Sequence, residues 1–321
     1  MMSGMMVEGK WMSGWSERER SGQYNPKPTT FRSGVSADGA SGFKAEAGRY
    51  NLYVSLACPW AHRTLIMRKL KGLDDAISVS IVDPIMSDKG WKFSSSPGAI
   101  PDSVNHAQYL QEIYLKADPK YTGRVTVPVL WDKQTKTIVN NESLEIIRMF
   151  DVEFAEFSTQ KIDLYPRDLR QKIDETIEAI YLPINAGVYR AGFATSQAAY
   201  ENAVTELFES LEQWENVLSQ QRYLCGERLT EADICMFTTL YRFDSVYYSH
   251  FNCNLRQIRD YPNLWDYLKD LYQRREFKAT CNLNYTKRAY YMSMTEINPN
   301  RIVPKGPIIN FDEPHARHRR F

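Results

Sequence analysis

One cysteine, Cys58, occurs where two sequence patterns meet, within the segment YNLYVSLACPWAHRTLIMRKLKG at residues 50–72. Apolar residues alternate before it and predict a strand at 50–56, whereas apolar residues at helical spacing after it predict a helix at 59–71. A thiol at a helix N-terminus is close to backbone N–H donors and to the positive end of the helix dipole, which favour the thiolate. An isolated cysteine is otherwise most often a small buried hydrophobic residue. This position, followed by a Pro59 that suits a first helical turn, predicts a nucleophile.

The chemistry of this thiol depends on the residue three positions later, where a thioredoxin-type site carries a second cysteine. That residue is Ala61, so the site is predicted to contain a single thiol. A mixed disulfide formed at Cys58 would then need an external thiol to resolve it, and glutathione is the abundant cytosolic candidate. His62 could act as a base beside the cysteine, but catalytic partners usually come from elsewhere in the fold, so we expect it to pack. Arg63 is expected to be a cation at the helix surface or at an interface.

A second motif, RVTVPVLWD at residues 124–132, combines a strand pattern with a proline. The pattern predicts a strand at 125–132, and Pro128, which cannot donate to a central ladder, predicts that this strand is at a sheet edge. A cis Val127–Pro128 bond would leave the Val127 backbone N–H and C=O available to an extended peptide. The alternative is an ordinary edge-strand proline without a binding role.

A third motif, NNESLEIIRMF at residues 140–150, places Glu142 and Ser143 at the start of a helix that follows a strand. Backbone and hydroxyl donors at such a helix N-terminus can hold a carboxylate, and Glu142 can accept hydrogen bonds from an ammonium group. An ordinary helix cap is an equally good interpretation of these two residues.

The elements that must position these motifs form an α/β unit at 48–155, with further strands at 77–82 and 136–139 and a mixed sheet. Its connection at 83–124 is too long for an ordinary loop and is expected to be functional or partly helical. An all-α region at 165–290 follows. Its helical patterns occur at 168–190, 197–219, 230–250 and 262–276.

The ends of the chain differ from both regions. Residues 1–47 lack a sustained period and are predicted to form an extended arm over a core, with single aromatic residues at Trp11, Trp15, Tyr24 and Phe31. Residues 291–321 form a C-terminal extension rich in proline. Within the all-α region, Thr230 at the N-cap and Asp233 three residues later predict a capping box.

Composition limits the possible functions. The 321 residues include 40 basic and 39 acidic side chains, a net charge of +1 that favours neither nucleic acid nor a membrane as a partner. Apolar runs are short, and Glu8 and Lys10 interrupt any signal-peptide core. Five widely spaced cysteines fit a reducing compartment, so we expect a cytoplasmic protein. The sequence contains no His/Cys cluster of the kind that binds zinc, so no metal site is predicted.

The chain resembles a glutathione transferase in four features taken together. These are the α/β unit, the cysteine at its first strand–helix turn, the Val127-Pro128 and Glu142-Ser143 pairs, and the helical region that follows. More narrowly, CPWAHR (58–63), DKGWKF (88–93), TVPVLWD (126–132) and NNESLEIIRMF resemble the glutathionyl-hydroquinone reductases, the xi class of that superfamily. The resemblance extends from about residue 40 to residue 310. It implies a thioredoxin-like N-terminal domain with a mixed sheet, an all-helical glutathione-transferase C-terminal domain and a homodimer.

The resemblance also implies roles for individual residues. Cys58 would be the nucleophile and Tyr189 an acid–base residue, while Tyr247 and Tyr290 would point at the cysteine and stabilise its thiolate. Residues implied to bind glutathione are Trp91, Arg124, Val125, Thr126, Val127, Glu142 and Ser143. Periodicity alone does not separate Tyr247 and Tyr290 from their neighbours Tyr248 and Tyr291.

The implied reaction is the glutathione-dependent reduction of S-glutathionyl-hydroquinones to hydroquinones, through a mixed disulfide between Cys58 and glutathione. Glutathione would be the co-substrate, with no metal or nucleotide. One alternative is an omega-like thiol transferase or dehydroascorbate reductase that uses the same cysteine. Another is a non-catalytic ligand-binding relative, because a fold alone does not fix a function.

Overall fold

The computed structural model describes residues 4–13, 21–23 and 28–321, so Trp15 and Tyr24 of the arm lie outside the described residues. The strands of this part are β1 (Met5–Val7), β2 (Lys10–Met12), β3 (Tyr50–Val54), β4 (Ile77–Ile81), β5 (Gly123–Arg124), β6 (Val129–Asp132) and β7 (Thr137–Asn140). Its helices are α1 (Pro59–Leu70), α2 (Leu110–Ala117), α3 (Ser143–Val152), α4 (Arg170–Ile180), α5 (Gly187–Gly192), α6 (Gln197–Leu218), α7 (Glu231–Arg242), α8 (Tyr248–His250), α9 (Pro262–Tyr272), α10 (Arg275–Lys278), α11 (Leu283–Ser293) and α12 (Arg317–Arg320). Short 3₁₀ turns occur at Ala155–Phe157 and Ile258–Asp260, and π-helical turns at Tyr181–Asn185 and Phe243–Tyr247.

Contacts between residues divide the chain into two units. The first unit contains the described residues before position 14 together with Pro28–Ile162 and Thr280–Val303, which include all seven strands. The second unit contains residues 21–23, Asp163–Ala279 and Pro304–Phe321. Helix α11, most of which lies within the predicted all-α region at 165–290, therefore belongs by its contacts to the first unit.

The main sheet of the first unit has the strand order β4-β3-β6-β7. Strands β3 and β4 are parallel, whereas β6 is antiparallel to both β3 and β7, so the predicted mixed sheet is confirmed. Every residue of β3 and β6 is buried. Helices α1 and α3 pack against each other in the same unit, as expected for a thioredoxin-like layer arrangement.

The position of the third predicted strand differs from the expectation. Strand β6 begins at Val129 and lies inside the sheet between β3 and β7, so the prediction of an edge strand at 125–132 was wrong. Pro128 precedes the first residue of β6, where its missing N–H removes no ladder hydrogen bond. The predicted cis Val127–Pro128 peptide bond is confirmed.

Part of the N-terminal arm forms regular structure, which the lack of periodicity did not indicate. Strands β1 and β2 form a hairpin whose turn contains Glu8 and Gly9, both at positive φ. Strand β1 also pairs with β5, in a small sheet of order β2-β1-β5. The Trp11 indole N–H donates to the Asp88 carbonyl at 2.8 Å, which ties the hairpin to the long connection after β4. That connection contains α2 and is therefore partly helical, as predicted.

Helices make up the second unit, as the sequence predicted. The predicted capping box at the start of α7 is confirmed, since the Asp233 carboxylate accepts hydrogen bonds from the Thr230 backbone N–H at 2.8 Å and from its hydroxyl at 3.0 Å. Each π-helical turn continues an α-helix, one after α4 and one after α7. Among the residues described, no helix combines the length and apolar character needed to cross a bilayer.

Candidate active site

Cys58 is the N-cap residue of α1, immediately before Pro59 at the first helical position, so the predicted start of the helix and the predicted place of Pro59 are confirmed. The Cys58 backbone is extended, with φ −75° and ψ 120°, which turns the chain from β3 into the helix. The Ala61 backbone N–H points at the Cys58 sulfur at an N–S distance of 3.5 Å. Negative charge is favoured at a helix N-terminus, so this N–H contact is one that a thiolate would accept.

Val127 lies beside the sulfur. The Cys58 thiol donates to the Val127 carbonyl at 3.5 Å, and Val127 is the residue before the cis proline. In the part of the chain that the structure describes, no group accepts a hydrogen bond from the Val127 N–H. A peptide that pairs with the Val127 backbone would therefore be held directly next to the cysteine.

The three residues before Val127 are fixed by hydrogen bonds to tyrosine hydroxyls or by burial. Arg124 is in β5, and its carbonyl accepts from the Tyr121 hydroxyl at 2.9 Å. Both backbone groups of Thr126 are bonded to the Tyr114 hydroxyl, and Val125 is buried. Of the segment predicted to hold the peptide, Val127 is the residue that offers a backbone donor next to the sulfur.

Glu142 and Ser143 lie together at the N-terminus of α3. The Glu142 carboxylate accepts from the Leu144 backbone N–H and from the Ser143 hydroxyl, each at 3.4 Å, so Glu142 does cap the helix. The Thr29 hydroxyl also donates to this carboxylate at 3.3 Å. Glu142 is partly exposed while Ser143 is buried, which leaves a carboxylate at the surface beside a buried hydroxyl.

Arg63 does not lie at the surface, and that expectation was wrong. Its side chain is buried, and one terminal guanidinium nitrogen lies 3.5 Å from the Ser143 hydroxyl oxygen. The reason is that α1 packs against α3, which places this face of α1 at the N-terminus of α3. His62 is fully buried, with Nε2 2.8 Å from the Thr280 hydroxyl, as expected for a packing residue.

Trp91 is positioned by the connection after β4. Its carbonyl accepts from the Leu110 N–H at the start of α2, and its side chain is buried. The buried Asp83 organises the same connection by accepting from the hydroxyls of Ser94 and Ser96. Burial by itself would raise the pKa of Asp83, but these hydrogen bonds outweigh it and hold the pKa below its ordinary value.

Helix α11 packs against the turn that precedes Cys58. The Tyr285 hydroxyl donates to the Val82 carbonyl at 2.6 Å and lies 3.3 Å from the Ser55 hydroxyl, while the Thr286 hydroxyl donates to the Leu56 carbonyl at 3.4 Å. Tyr290, which the family resemblance singles out, is a buried residue of this helix. Sequence reasoning missed Tyr285, because the tyrosines of NYTKRAYY carry no local signal that separates an anchoring residue from its neighbours.

Tyr189 and Tyr247 are close together within the second unit. Their hydroxyl oxygens are 3.4 Å apart and their ring centroids 5.8 Å apart. Tyr189 is in α5, directly after one π-helical turn, and Tyr247 ends the other. Tyr247 is fully buried whereas Tyr248 is partly exposed, a difference that the sequence did not reveal. π-Helical turns occur frequently at functional sites.

Two further observations concern cofactors and redox state. No disulfide joins any of the five cysteines, all of which lie in the described part of the chain. Within the same described residues, no group of three or more His, Cys, Asp or Glu side chains is arranged to hold a metal ion.

Comparisons with known proteins agree with this arrangement. Residues 57–153 match the family model of the glutathione S-transferase N-terminal domain, and residues 197–270 match that of the C-terminal domain. The chain is 50% identical to the glutathionyl-hydroquinone reductase YqjG of Escherichia coli over 99% of each chain. It is 47% identical to the glutathionyl-hydroquinone reductase PcpF of Sphingobium chlorophenolicum, over 95% of this chain and 96% of that protein.

Solved structures give the same result. A xi-class glutathione transferase from Natrialba magadii superposes with a TM-score of 0.94 at 52% identity, covering 99% of this chain and 97% of that chain. The glutathione-bound structure of E. coli YqjG superposes with a TM-score of 0.92 at 50% identity, covering 99% and 100%. These likenesses extend over both units of the chain.

Proposed function

Because the chain belongs to the glutathionyl-hydroquinone reductases, the xi class of the glutathione transferases, we propose that it removes glutathione from S-glutathionyl-hydroquinones. The observation that carries this proposal is the position of the Cys58 sulfur, 3.5 Å from both the Ala61 N–H nitrogen and the Val127 carbonyl oxygen. The first contact stabilises a thiolate, and the second places a peptide-binding residue beside it.

In the first step the Cys58 thiolate attacks the sulfur of the glutathionyl group. A disulfide bond forms between Cys58 and glutathione, and the bond from that sulfur to the aromatic carbon breaks. The aromatic carbon keeps the electron pair and takes up a proton, which gives the free hydroquinone. This step needs one cysteine, in agreement with Ala61 in the place of a second thiol.

In the second step the thiolate of another glutathione attacks the glutathione sulfur of the mixed disulfide. Oxidised glutathione leaves, and the Cys58 thiolate is regenerated. The net reaction consumes one glutathionyl-hydroquinone and one glutathione, and it produces one hydroquinone and one oxidised glutathione. Glutathione is therefore a co-substrate, and this need for a reduced thiol pool supports a cytoplasmic site of action.

The glutathione tripeptide is proposed to bind across two segments of the first unit. Its cysteinyl backbone would pair with Val127, and its γ-glutamyl end would bind Glu142 and Ser143, with the carboxylate at the N-terminus of α3 and the ammonium at the Glu142 carboxylate. Trp91 would form a wall of the site, and the Arg124–Thr126 segment would support Val127. The exposure of the Glu142 carboxylate beside the buried Ser143 hydroxyl supports this orientation.

Three tyrosine roles are carried over from the family resemblance. Tyr189 is proposed to supply the proton to the aromatic carbon, and Tyr247 and Tyr290 are proposed to stabilise the thiolate. All three side chains are buried, and the 3.4 Å contact between the Tyr189 and Tyr247 hydroxyls supports placing these two phenols in one site. A homodimer stays a prediction.

The deciding experiment compares substrates. The enzyme is incubated with glutathione and a glutathionyl-hydroquinone, a small mixed disulfide of glutathione, or dehydroascorbate, and the products are separated by chromatography. We expect the highest kcat/KM with the glutathionyl-hydroquinone, and hydroquinone and oxidised glutathione in equal amounts. A preference for the mixed disulfide or dehydroascorbate would instead identify an omega-like thiol transferase, and no turnover of any substrate would identify a binding protein.

Replacing Glu142 with glutamine should weaken glutathione binding without changing the fold. The amide can still accept from the Leu144 N–H, but it removes the charge that would bind the ammonium group, and a hydrogen bond to a charged group contributes about 1.5–3 kcal/mol. We therefore expect the KM for glutathione to rise by about 10- to 100-fold. Steady-state kinetics with varied glutathione measures this.

Glu145→Gln is the matched control for Glu142→Gln. It removes the same charge from the same first helical turn, but the Glu145 carboxylate already binds Arg32 and Asn140. Its KM for glutathione should stay within about twofold of the wild-type value, since helix-dipole effects of one charge are small. An equal rise in both variants would show that Glu142 acts through the helix and not through contact with glutathione.

A further inference from the structure

The Tyr114 hydroxyl is the centre of a buried hydrogen-bond network in the first unit. It donates to the Thr126 carbonyl at 2.9 Å and accepts from the Thr126 backbone N–H at 3.2 Å. The side-chain amide of Asn141 donates to the same oxygen at 3.1 Å. Tyr114 is fully buried, and burial raises the pKa of its phenol, so the hydroxyl keeps the proton that it donates.

This network joins two segments that are separate in sequence. Thr126 directly precedes Val127, beside the Cys58 sulfur, and Asn141 directly precedes Glu142 at the N-terminus of α3. Asn141 is itself fixed from a second direction, because its side-chain carbonyl accepts from the Phe31 N–H at 3.2 Å. A hydroxyl from α2 therefore links the Val127 segment to the Glu142–Ser143 pair, beyond the last paired residues of β6 and β7, Leu130 and Asn140.

We propose that Tyr114 is a positioning residue for glutathione, holding these two segments at the separation that lets both parts of one tripeptide bind together. The identity of the ligand rests on the proposed function. A ligand that spans two segments binds tightly only when their spacing is fixed beforehand, because otherwise binding must also order them. One side chain, outside the motifs proposed to bind glutathione, supplies this preorganisation.

The network also shows why Tyr114 acts on binding and not on chemistry. Its hydroxyl has one proton and two acceptor sites, and four neighbours surround it, because the Thr126 hydroxyl oxygen also lies 3.3 Å away, so no site is left for a further partner. The side chain is inaccessible to solvent, so it cannot contact a substrate. Removing the hydroxyl would leave the N–H and C=O of Thr126 and the Asn141 amide in need of new partners, which would shift both segments.

The test is Tyr114→Phe, examined with reduced glutathione as the probe. We expect calorimetry to show a dissociation constant about tenfold higher than wild type, corresponding to about 1.4 kcal/mol. The KM values for glutathione and glutathionyl-hydroquinone should rise by a similar factor, while kcat stays within about twofold. The rate at which iodoacetamide alkylates Cys58 should not change, because the helix N-terminus around the sulfur is intact.

Tyr50→Phe is the matched control. Tyr50 is a buried tyrosine of β3 in the same unit, and its hydroxyl donates to the Lys44 carbonyl at 2.7 Å, away from Thr126 and Asn141. The dissociation constant of the Tyr50→Phe variant for glutathione should equal that of the wild type. A tenfold loss in both variants, or in neither, would overturn the role of Tyr114.

A second variant keeps the proposal testable if Tyr114→Phe does not fold. Asn141→Ala removes the link to α3 while leaving Tyr114 bonded to Thr126, and it should weaken glutathione binding severalfold. An unchanged dissociation constant in Asn141→Ala would contradict the proposal. Because binding is measured without turnover, a chain that binds glutathione in this pattern but does not reduce glutathionyl-hydroquinones would overturn the proposed function alone.

Discussion

Replacing Cys58 with serine is expected to abolish reduction of glutathionyl-hydroquinones, with a loss of turnover on the order of 10³-fold or more. A serine hydroxyl is not ionised at neutral pH and cannot form the mixed disulfide with glutathione. Serine is also a good N-cap residue, so α1 should keep its start and the fold its stability. Steady-state turnover beside a thermal unfolding curve measures both effects.

The control for this variant is Cys281→Ser. Cys281 is also partly exposed and belongs to the same unit, but it is not the N-cap residue of a helix. Its replacement should leave turnover unchanged. If Cys58→Ser kept more than a few per cent of the wild-type rate, the proposed mixed disulfide would not be an intermediate. Mass spectrometry of wild-type enzyme after a single turnover should find one glutathione, attached to Cys58.

Replacing Arg49 with methionine is expected to destabilise the first unit by about 3–5 kcal/mol, the usual result of removing one partner of a buried ion pair. Asp132, at the end of β6, is fully buried and accepts from two guanidinium nitrogens of Arg49 at 2.9 and 2.6 Å. Without Arg49 this carboxylate would stay buried without its counter-charge. Equilibrium unfolding in urea at pH 7 measures the change in the free energy of unfolding.

Arg32→Met is the matched control, because Arg32 also binds a carboxylate, that of Glu145, but both side chains are more than a third exposed. Exposed ion pairs contribute little, so the expected loss is below about 1 kcal/mol. Equal losses in the two variants would show that burial does not determine the contribution of the Arg49–Asp132 pair.

The pH dependence of the Arg49 variant gives a second measurement. Burial would raise the pKa of Asp132, but hydrogen bonds from Arg49, Thr135 and Gln134 outweigh it, so the pKa lies below its ordinary value. The stability contributed by a lowered pKa is present above the unfolded pKa of about 4 and is lost as the pH falls through the folded value. The difference between wild type and Arg49→Met should therefore shrink below about pH 4. If the difference in the free energy of unfolding between the two proteins stayed constant down to pH 3, the variant would have lost packing and not the charge interaction with Asp132.

Local sequence determined the features that depend on neighbours in the chain. The turn at Cys58 and Pro59 follows from a strand pattern, an N-cap residue and a proline suited to the first helical position. The capping box of Thr230 and Asp233 follows in the same way, because the two groups are one helical turn apart. The mixed sheet of the first unit and the helices of the second were also predicted, since their periodicities of two and 3.6 residues are visible in the sequence.

Tertiary structure alone decided which residues from distant positions meet. A proline just before β6 looks the same whether the strand is at an edge or inside the sheet, and only the pairing of β6 with β3 and β7 places it inside. Arg63 has the polarity of a surface residue, yet the packing of α1 on α3 buries it beside Ser143. Neither position follows from hydrophobic pattern.

The tyrosines show the same limit most clearly. Tyr114 lies 12 residues before Thr126 and 27 before Asn141, and Tyr285 lies 230 residues after Ser55. A phenol suits both a core and a hydrogen-bond network, so residue type does not distinguish the two roles. Partners at such separations are set by how whole elements pack. A local stretch of sequence does not indicate which distant group will lie within hydrogen-bonding distance of a hydroxyl.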